Sequence, residues 1–289
     1  MRTTSATKLA ALGLLVFGLF ACSDKDDDPA PNLEDCIGGN CTPSSGGTSG
    51  GNNGGGGGSG GGGGSGGSGG GDLEGVTTTV SGVVQATVDG SFRAAATYVS
   101  ATKVKAFGAN ASVIETDTAI GNFIIEDVAA GLNWFALEDQ TVQRTIFPTL
   151  QPVFVNPDNP QTALVGVDEQ TFLSVLNMMV PTKMPVSSAG HAILFFTKED
   201  GSPVSGVTLT ATAGAESVAY DASPPLYEIA DPPTEGATGP DGTVILVNMA
   251  ATPYPGSTVD VPFTVDGESK LVSIRIASGH ITRAAVIVE

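Results

Sequence analysis

The 289 residues include 30 acidic side chains against 12 basic ones, a formal charge of −18 at pH 7. Nucleic-acid backbones are bound through basic surface, so this balance excludes nucleic acid as a partner. Forty glycines beside only 6% aromatic residues point to a chain divided between a part with nothing to bury and a part able to build a core.

At the N-terminus, Arg2 and Lys8 flank an apolar stretch from Leu9 to Phe20. Its length of about a dozen residues suits a secretory h-region and is too short to span a bilayer. The stretch closes on Leu19-Phe20-Ala21-Cys22, which resembles the lipobox of bacterial lipoprotein precursors. That resemblance implies removal of residues 1–21 as a signal peptide, acylation of Cys22 (palmitate among the chains), and a membrane-anchored product. Two acyl chains already give stable attachment. Phe20 departs from the small residue preferred before the cleavage site, which leaves open an ordinary secretory signal followed by an unrelated cysteine. In the lipoprotein family, Ser rather than Asp after the cysteine goes with outer-membrane sorting, so Ser23 implies that destination. Loss of Arg2 and Lys8 would leave a charge of about −20.

Residues 22–75 read as a disordered tether. Asp24-Lys25-Asp26-Asp27-Asp28 opens it, and an almost pure Gly/Ser tract from Gly46 to Gly71 completes it, with no apolar surface to offset the entropy of ordering. As a random coil the tether reaches about 40 Å. Asp24, Asp26 and Asp28 alternate like calcium ligands but lack the glycine turn and closing glutamate of an EF-hand, so no metal is expected. Cys36 and Cys41, in an oxidising compartment, are candidates for one local disulfide. A redox centre would need closer spacing and a folded scaffold.

From Val76 onward, Val, Ile, Thr and Ala alternate with Gly, Pro and Asp-Gly pairs, an all-β pattern with room for two tandem small β-sandwich domains. The first is expected over 76–188 and the second over 189–289. Val207–Thr212 and Val259–Val265 alternate apolar with polar residues, as half-buried strands do. Pro262 falls on the polar side of its strand, where an edge position would make its missing N–H harmless. Val244-Ile245-Leu246-Val247 has no polar face and predicts a central strand. Asp89-Gly90, Asp200-Gly201, Asp241-Gly242 and Asp266-Gly267 supply turns. One segment has helical spacing: Phe172, Leu173, Leu176 and Met179 follow a capping Asp168 and precede Pro181. This predicts one short helix between the domains, its apolar stripe packed on a sheet or offered to a partner.

Two stretches share a further pattern. Tyr98–Gly108 is followed by Thr116, Gly121, Phe123, Val128 and Gly131; Val204, Gly206 and Val207 are followed by Thr238, Asp241 and Gly242. Both resemble the carboxypeptidase regulatory-like module, a prealbumin-like β-sandwich. Ala101 and Ile120 depart from it, where Gly and an Asp or Asn are preferred. The resemblance implies a non-catalytic accessory fold with no active site to carry over, found beside peptidases and in envelope proteins.

The residue inventory agrees. His191 and His280 are the two imidazoles, and no His-Glu-x-x-His pattern occurs. His191 opens an apolar strand and His280 follows the turn residues Ser278-Gly279, so both are expected in structural or surface roles. No cofactor and no catalytic residue is expected. The leading expectation is a lipid-anchored envelope protein, structural or engaging an envelope protein by a strand edge or loop. A carbohydrate-binding module is the alternative, with Trp134, Tyr98 and Tyr254 as stacking residues and Tyr220 and Tyr227 in support. A more distant one is an accessory protein of a peptidase or hydrolase system.

Overall fold

The computed structural model describes residues 75–108, 113–118, 121–179, 185–223 and 226–288. The signal peptide, Cys22, the tether up to residue 74 with Cys36 and Cys41, Ile120 and Pro181 lie outside the described residues. In chain order the strands of the first half are β1 (Thr77–Thr87), β2 (Ala95–Tyr98), β3 (Thr102–Phe107), β4 (Ile114–Asp117), β5 (Asn122–Ala129), β6 (Gly131–Asp139), β7 (Ile146–Phe147), β8 (Thr149–Val155) and β9 (Gln161–Asp168). Helix α1 (Glu169–Met179) follows. The second half contains β10 (Gly190–Thr197), β11 (Thr208–Leu209), β12 (Ser217–Ser223), β13 (Leu226–Ala230), β14 (Thr243–Met249), β15 (Ser257–Val265), β16 (Glu268–Ile276) and β17 (Ile281–Ile287). The protein is a β-sandwich protein with a single α-helix among the described residues.

In the first half, β1 pairs with β2 and β5 antiparallel and with β9 parallel, while β9 also takes β7. This sheet faces the strands β4, β3, β6 and β8. Val80, Val84, Val104, Phe123, Ile125, Phe135, Leu137 and Leu164 meet between the two layers and are all buried. Alternation explains the layering: Phe123, Ile125 and Val128 point inward from β5 while Asn122, Ile124 and Glu126 are exposed. Gly82 sits where β1 runs beside β9, and a Cβ there would lie 1.8 Å from the Thr162 carbonyl oxygen. Only glycine permits that approach.

In the second half, the three-stranded sheet β11-β15-β16 lies over β12, β14, β10 and β17. Leu194, Phe196, Val244, Leu246, Val261, Phe263, Ile274 and Ile276 fill the space between. Of the strand expected over Val207–Thr212 only Thr208–Leu209 forms, because the chain turns away at Ala213 and Gly214, both at positive φ. All eight residues of β10 are buried, and β14 is buried except for Asn248. β14 lies between β12 and β10, the central position predicted from its lack of a polar face. The second face of these strands is covered by α1 through Phe172, Val175 and Leu176, and by Phe92 from the loop between β1 and β2. Thr171 N–H donates to Asp168 Oδ1 at 2.7 Å, the expected N-cap. The stripe read from the sequence therefore packs on a sheet, as one of its two expected uses.

The two halves share a sheet. β17 pairs parallel with β8 at Ile281 with Thr149 and Thr282 with Leu150, which joins both sets of strands in the order β13-β12-β14-β10-β17-β8-β6-β3-β4. Two tandem sandwiches were expected; the pairing fuses one layer of each, because β17 has an open edge on the side away from β10.

The Asp266-Gly267 turn has positive φ at both residues, 51° and 81°, the I′ geometry that matches strand twist. It fixes Val265 opposite Glu268 and Pro262 opposite Leu271. Residues flanking a two-residue turn form a hydrogen-bonded pair, so Pro262 and Leu271, three pairs on, direct their backbone groups away from each other. Accordingly the Pro262 carbonyl accepts Thr210 N–H at 3.0 Å, on the far side. β15 is thus flanked on both sides rather than at an edge. The missing N–H of Pro262 is harmless because it points past the end of the two-residue β11.

Leu194→Ala, at a fully buried site on β10, is expected to cost about 2–5 kcal/mol of unfolding free energy. Leu271→Ala, at a site 60% exposed, should stay within about 0.5 kcal/mol. Urea denaturation of the two variants checks the contrast.

Candidate functional site

Of the five aromatic residues singled out from the sequence, Trp134 and Tyr254 pack against one cluster and the other three lie apart from it. Tyr220 is buried in β12, and its hydroxyl oxygen accepts Leu209 N–H at 2.9 Å. Tyr227 is buried in β13 and donates to the Gly90 carbonyl at 2.9 Å; burial pushes its phenol well above the ordinary range. Trp134 is half-buried against apolar groups of both halves. Tyr254 is half-buried, edge-on to Phe107 with centroids 5.4 Å apart and stacked on His280 at 5.7 Å. Tyr98 is the open one of the five, 62% exposed.

The ionisable groups gather elsewhere. Glu138 on β6 receives Lys105 Nζ from β3 at 2.6 Å, and His280 Nε2 stands 3.7 Å from the same carboxylate oxygen. His280 Nδ1 lies 2.8 Å from the Ser278 carbonyl, which can only accept, so Nδ1 carries a hydrogen and Nε2 is left to face Glu138. Lys105 Nζ is 5.0 Å from the centre of the Tyr254 ring, and the Arg275 guanidinium is 5.0 Å from that of Phe107. His280, foremost, and Lys105 lower the Glu138 carboxyl to about 2, against the opposing influence of its own burial. Burial, with Glu138 next, pushes the Tyr254 phenol up. The Tyr254 hydroxyl, His280 Nε2 and Arg275 Nε are buried without a hydrogen-bond partner among the described residues. Sequence reading placed His280 in a turn; the turn is there, but it folds the ring inward, leaving the residue 8% exposed.

His191 is fully buried on β10. Its Nδ1 accepts Asn248 N–H at 3.3 Å, and its ring stands edge-on to Phe172 and Phe147. Burial lowers its pKa to about 4, so it is a neutral member of the core.

A second polar centre is Asp221 on β12, 1% exposed. Its carboxylate accepts backbone N–H groups from Gly239, Asp241 and Thr243 at 3.1, 2.7 and 2.7 Å. Burial raises its pKa in spite of these three donors. Above it, Arg93 and Arg283 each place a guanidinium 4.9 Å from the centre of the Phe195 ring. Arg93 donates to the Asp241 carbonyl, and Arg283 donates to the carbonyls of Phe92 and Arg93 at 3.2 and 3.4 Å. Burial, then the neighbouring Arg93, lowers Arg283 to about 10. Sequence reading missed Asp221, since nothing in an acidic chain distinguishes the one carboxylate that will be buried. The nearby Thr238 was legible as part of a repeated pattern. Its hydroxyl donates to the Val204 carbonyl and accepts Val207 N–H, both at 2.9 Å, so that pattern encodes a loop tie.

Chemically, the Glu138–His280 pair can hold or pass a proton, but the Tyr254 ring lies over the imidazole. Among the described residues no three His, Cys, Asp or Glu side chains are placed to hold a metal, and no helix is long and apolar enough to cross a membrane.

No protein-family model and no curated protein matches this chain. Among solved structures it is similar to the Bacillus anthracis TIE protein, at 12% identity over 73% of this chain and 34% of that one, with a TM-score of 0.23. It is also similar to a streptococcal ancillary pilin, at 8% identity over 72% of this chain and 68% of that one, with a TM-score of 0.21. The chain thus spans about a third of the length of the TIE protein. Likenesses this distant do not bear on function.

Two pH dependences follow from the site. An unfolded imidazole takes up its proton near pH 6.5, whereas native His191 resists until about 4, so stability is present above 6.5 and is lost as pH falls through that window. The loss should reach about 3 kcal/mol, and His191→Leu should remove that slope in urea titrations. Glu138, held at about 2, contributes stability above its ordinary value of 4.5 that disappears as pH falls toward 2. Glu138→Gln should flatten this lower limb.

Proposed function

We propose that the chain is a non-catalytic, lipid-anchored envelope protein that engages another envelope protein through the open edge of β16. Cys22 carries the anchor, the outer membrane is its site, and residues 22–75 act as the leash for the β-sandwich body. The module reading, a pair of carboxypeptidase regulatory-like sandwiches, rests on the residue patterns around Thr116–Gly131 and Val204–Gly242.

The observation that carries the proposal is the backbone of β16. Leu271 directs its N–H and C=O away from β15, and by the same alternation so do Ser269 and Ser273. Arg275 belongs to the same set, and its carbonyl is taken by the Thr282 hydroxyl, which marks where the edge closes. Among the described residues, Ser269, Leu271 and Ser273 therefore offer a short row of outward-facing backbone groups with the exposed Leu271 at its centre. An added strand would find both backbone partners and an apolar contact there. The glycan alternative has less support: four of the five candidate rings are wholly or partly buried, and all four pack on or bond to other residues of the chain.

The test is saturable binding of the full-length chain to separated envelope-protein and envelope-polysaccharide fractions. Binding to the protein fraction is expected. Leu271→Pro should abolish it while leaving the melting temperature unchanged, since the substitution deletes an outward-facing N–H and no bond to β15. Binding confined to polysaccharide and lost on Tyr98→Ala would favour the glycan alternative. For the anchor, Cys22→Ala should move the protein from the membrane pellet to the soluble fraction and end incorporation of labelled palmitate.

A further inference from the structure

The open edge of β16 is patterned, and the pattern selects what can pair with it. Val259, Val261, Phe263 and Val265 of β15 and Val272, Ile274 and Ile276 of β16 point into the core of the second half. By alternation, Asp260, Pro262 and Thr264 on β15 and Ser269, Leu271 and Ser273 on β16 stand on the outer face of the hairpin. Register sets these six in three cross-strand rows: Asp260 beside Ser273, Pro262 beside Leu271, and Thr264 beside Ser269. A strand added to β16 extends each row by one side chain, about 4.8 Å further out.

The middle row is apolar. Leu271 is 60% exposed and Pro262 is half-buried beside it, so an apolar residue opposite Leu271 removes the most surface from water. The Asp260 row is anionic and its charge is open. Asp260 is exposed and accepts the Ser273 hydroxyl at 2.6 Å, and among the described residues no Lys or Arg pairs with it. Arg275, the cation of the next row, is engaged elsewhere: its guanidinium lies over Phe107 and donates to the Pro255 carbonyl at 3.4 Å. Ser273 makes the carboxylate reachable, because it is the one small residue between Asp260 and any added strand. Two strand spacings, about 10 Å, separate Asp260 from the added backbone, a span suited to the long side chains of Lys and Arg. The Thr264 row is uncharged. On the inner side Val272 packs against the core, which favours an apolar residue opposite it as well.

On the reading of β16 as a protein-docking edge, we infer that its partner is a basic extended segment: an apolar residue lies opposite Leu271, and a Lys or Arg two residues away reaches over Ser273 to the Asp260 carboxylate. The net charge of −18 draws such a segment in and repels acidic ones, so selection begins before pairing. Backbone bonds and the Leu271 contact supply attachment; Asp260 supplies the choice between partners.

The probe is a labelled peptide, Thr-Lys-Val-Leu-Val-Lys-Thr, which reads the same from either end and so fits β16 in either direction. Its binding to the full-length chain is followed by fluorescence anisotropy, beside a twin with Glu in place of both Lys. The Lys peptide should bind about ten-fold more tightly at low ionic strength, a preference that fades toward 1 M salt, where the screening length is about 3 Å. Leu271→Pro should abolish its binding. Asp260→Asn keeps an acceptor for the Ser273 hydroxyl but loses the charge, so it should weaken the Lys peptide by about five-fold and leave the Glu peptide no weaker. Asp260→Lys should remove the preference altogether. Equal binding of the two peptides, binding of neither, or a preference unchanged in both Asp260 variants overturns the inference. The docking edge survives each of these results if Leu271→Pro still abolishes capture of the envelope-protein fraction; if it does not, edge and inference fall together.

Discussion

The rest of the structure depends on a sheet that is apolar on both faces. β10 exposes none of its eight residues, and β14 only partly exposes one. A sheet of this kind cannot end at water on either side; burying each large aliphatic or aromatic side chain contributes about 1.5–3 kcal/mol. One cover is local, the β15–β16 hairpin with its two-residue turn. The other comes from the first half: α1 and the loop bearing Phe92 close the second face. The position of the first half relative to β10 is therefore fixed by hydrophobic demand on strands that lie far along the chain.

Polar ties make that cover specific. Phe92 is buried against Phe172 and Tyr227, and the loop that carries it is gripped at three points: Tyr227 bonds the Gly90 carbonyl, while Arg283 bonds those of Phe92 and Arg93. Arg93 in turn reaches the Asp241 carbonyl, and Asp241 N–H is one of the three donors to Asp221. A buried carboxylate and two half-buried guanidinium groups are costly to desolvate. Here each is satisfied largely by backbone groups and by the Phe195 ring, so the network rigidifies loops instead of forming a catalytic centre.

The excess of negative charge is left on the outside. Lys103, Lys105 and Arg144 are engaged by Glu115, Glu138 and Glu169, and Arg93, Arg275 and Arg283 lie against aromatic rings. Surface ion pairs such as Lys103–Glu115 add little stability, and most acidic groups are left facing solvent. Such a field keeps the folded body soluble and speeds encounters with basic surfaces. It also opposes self-association by like-charge repulsion, which suits an open strand edge.

Strand identity was legible in the sequence wherever local pattern decides: the alternation in Val259–Val265, the unbroken apolar run of β14, the Asp266-Gly267 turn and the Asp168 cap each predict what the backbone does. These are short-range preferences, set by the period of side chains and the φ of one or two residues. Pairing was not legible. β1 beside β9, β10 beside β17 and β17 beside β8 are all parallel, and a parallel neighbour joins segments whose separation in sequence leaves no local trace. Sequence reading thus expected two tandem sandwiches and did not foresee the layer that the two halves share. It named His280, Tyr254 and Trp134 singly and could not see that the fold would bring them to Glu138 and Lys105. By itself the sequence determined local pieces, the strands around Val244–Val247 and Val259–Val265, the helix with its Asp168 cap and the Asp266-Gly267 turn, because periodicity and turn chemistry are local. Only the tertiary structure decided which carboxylates and imidazoles are buried together, because that depends on how distant strands close a sheet that water cannot be allowed to touch.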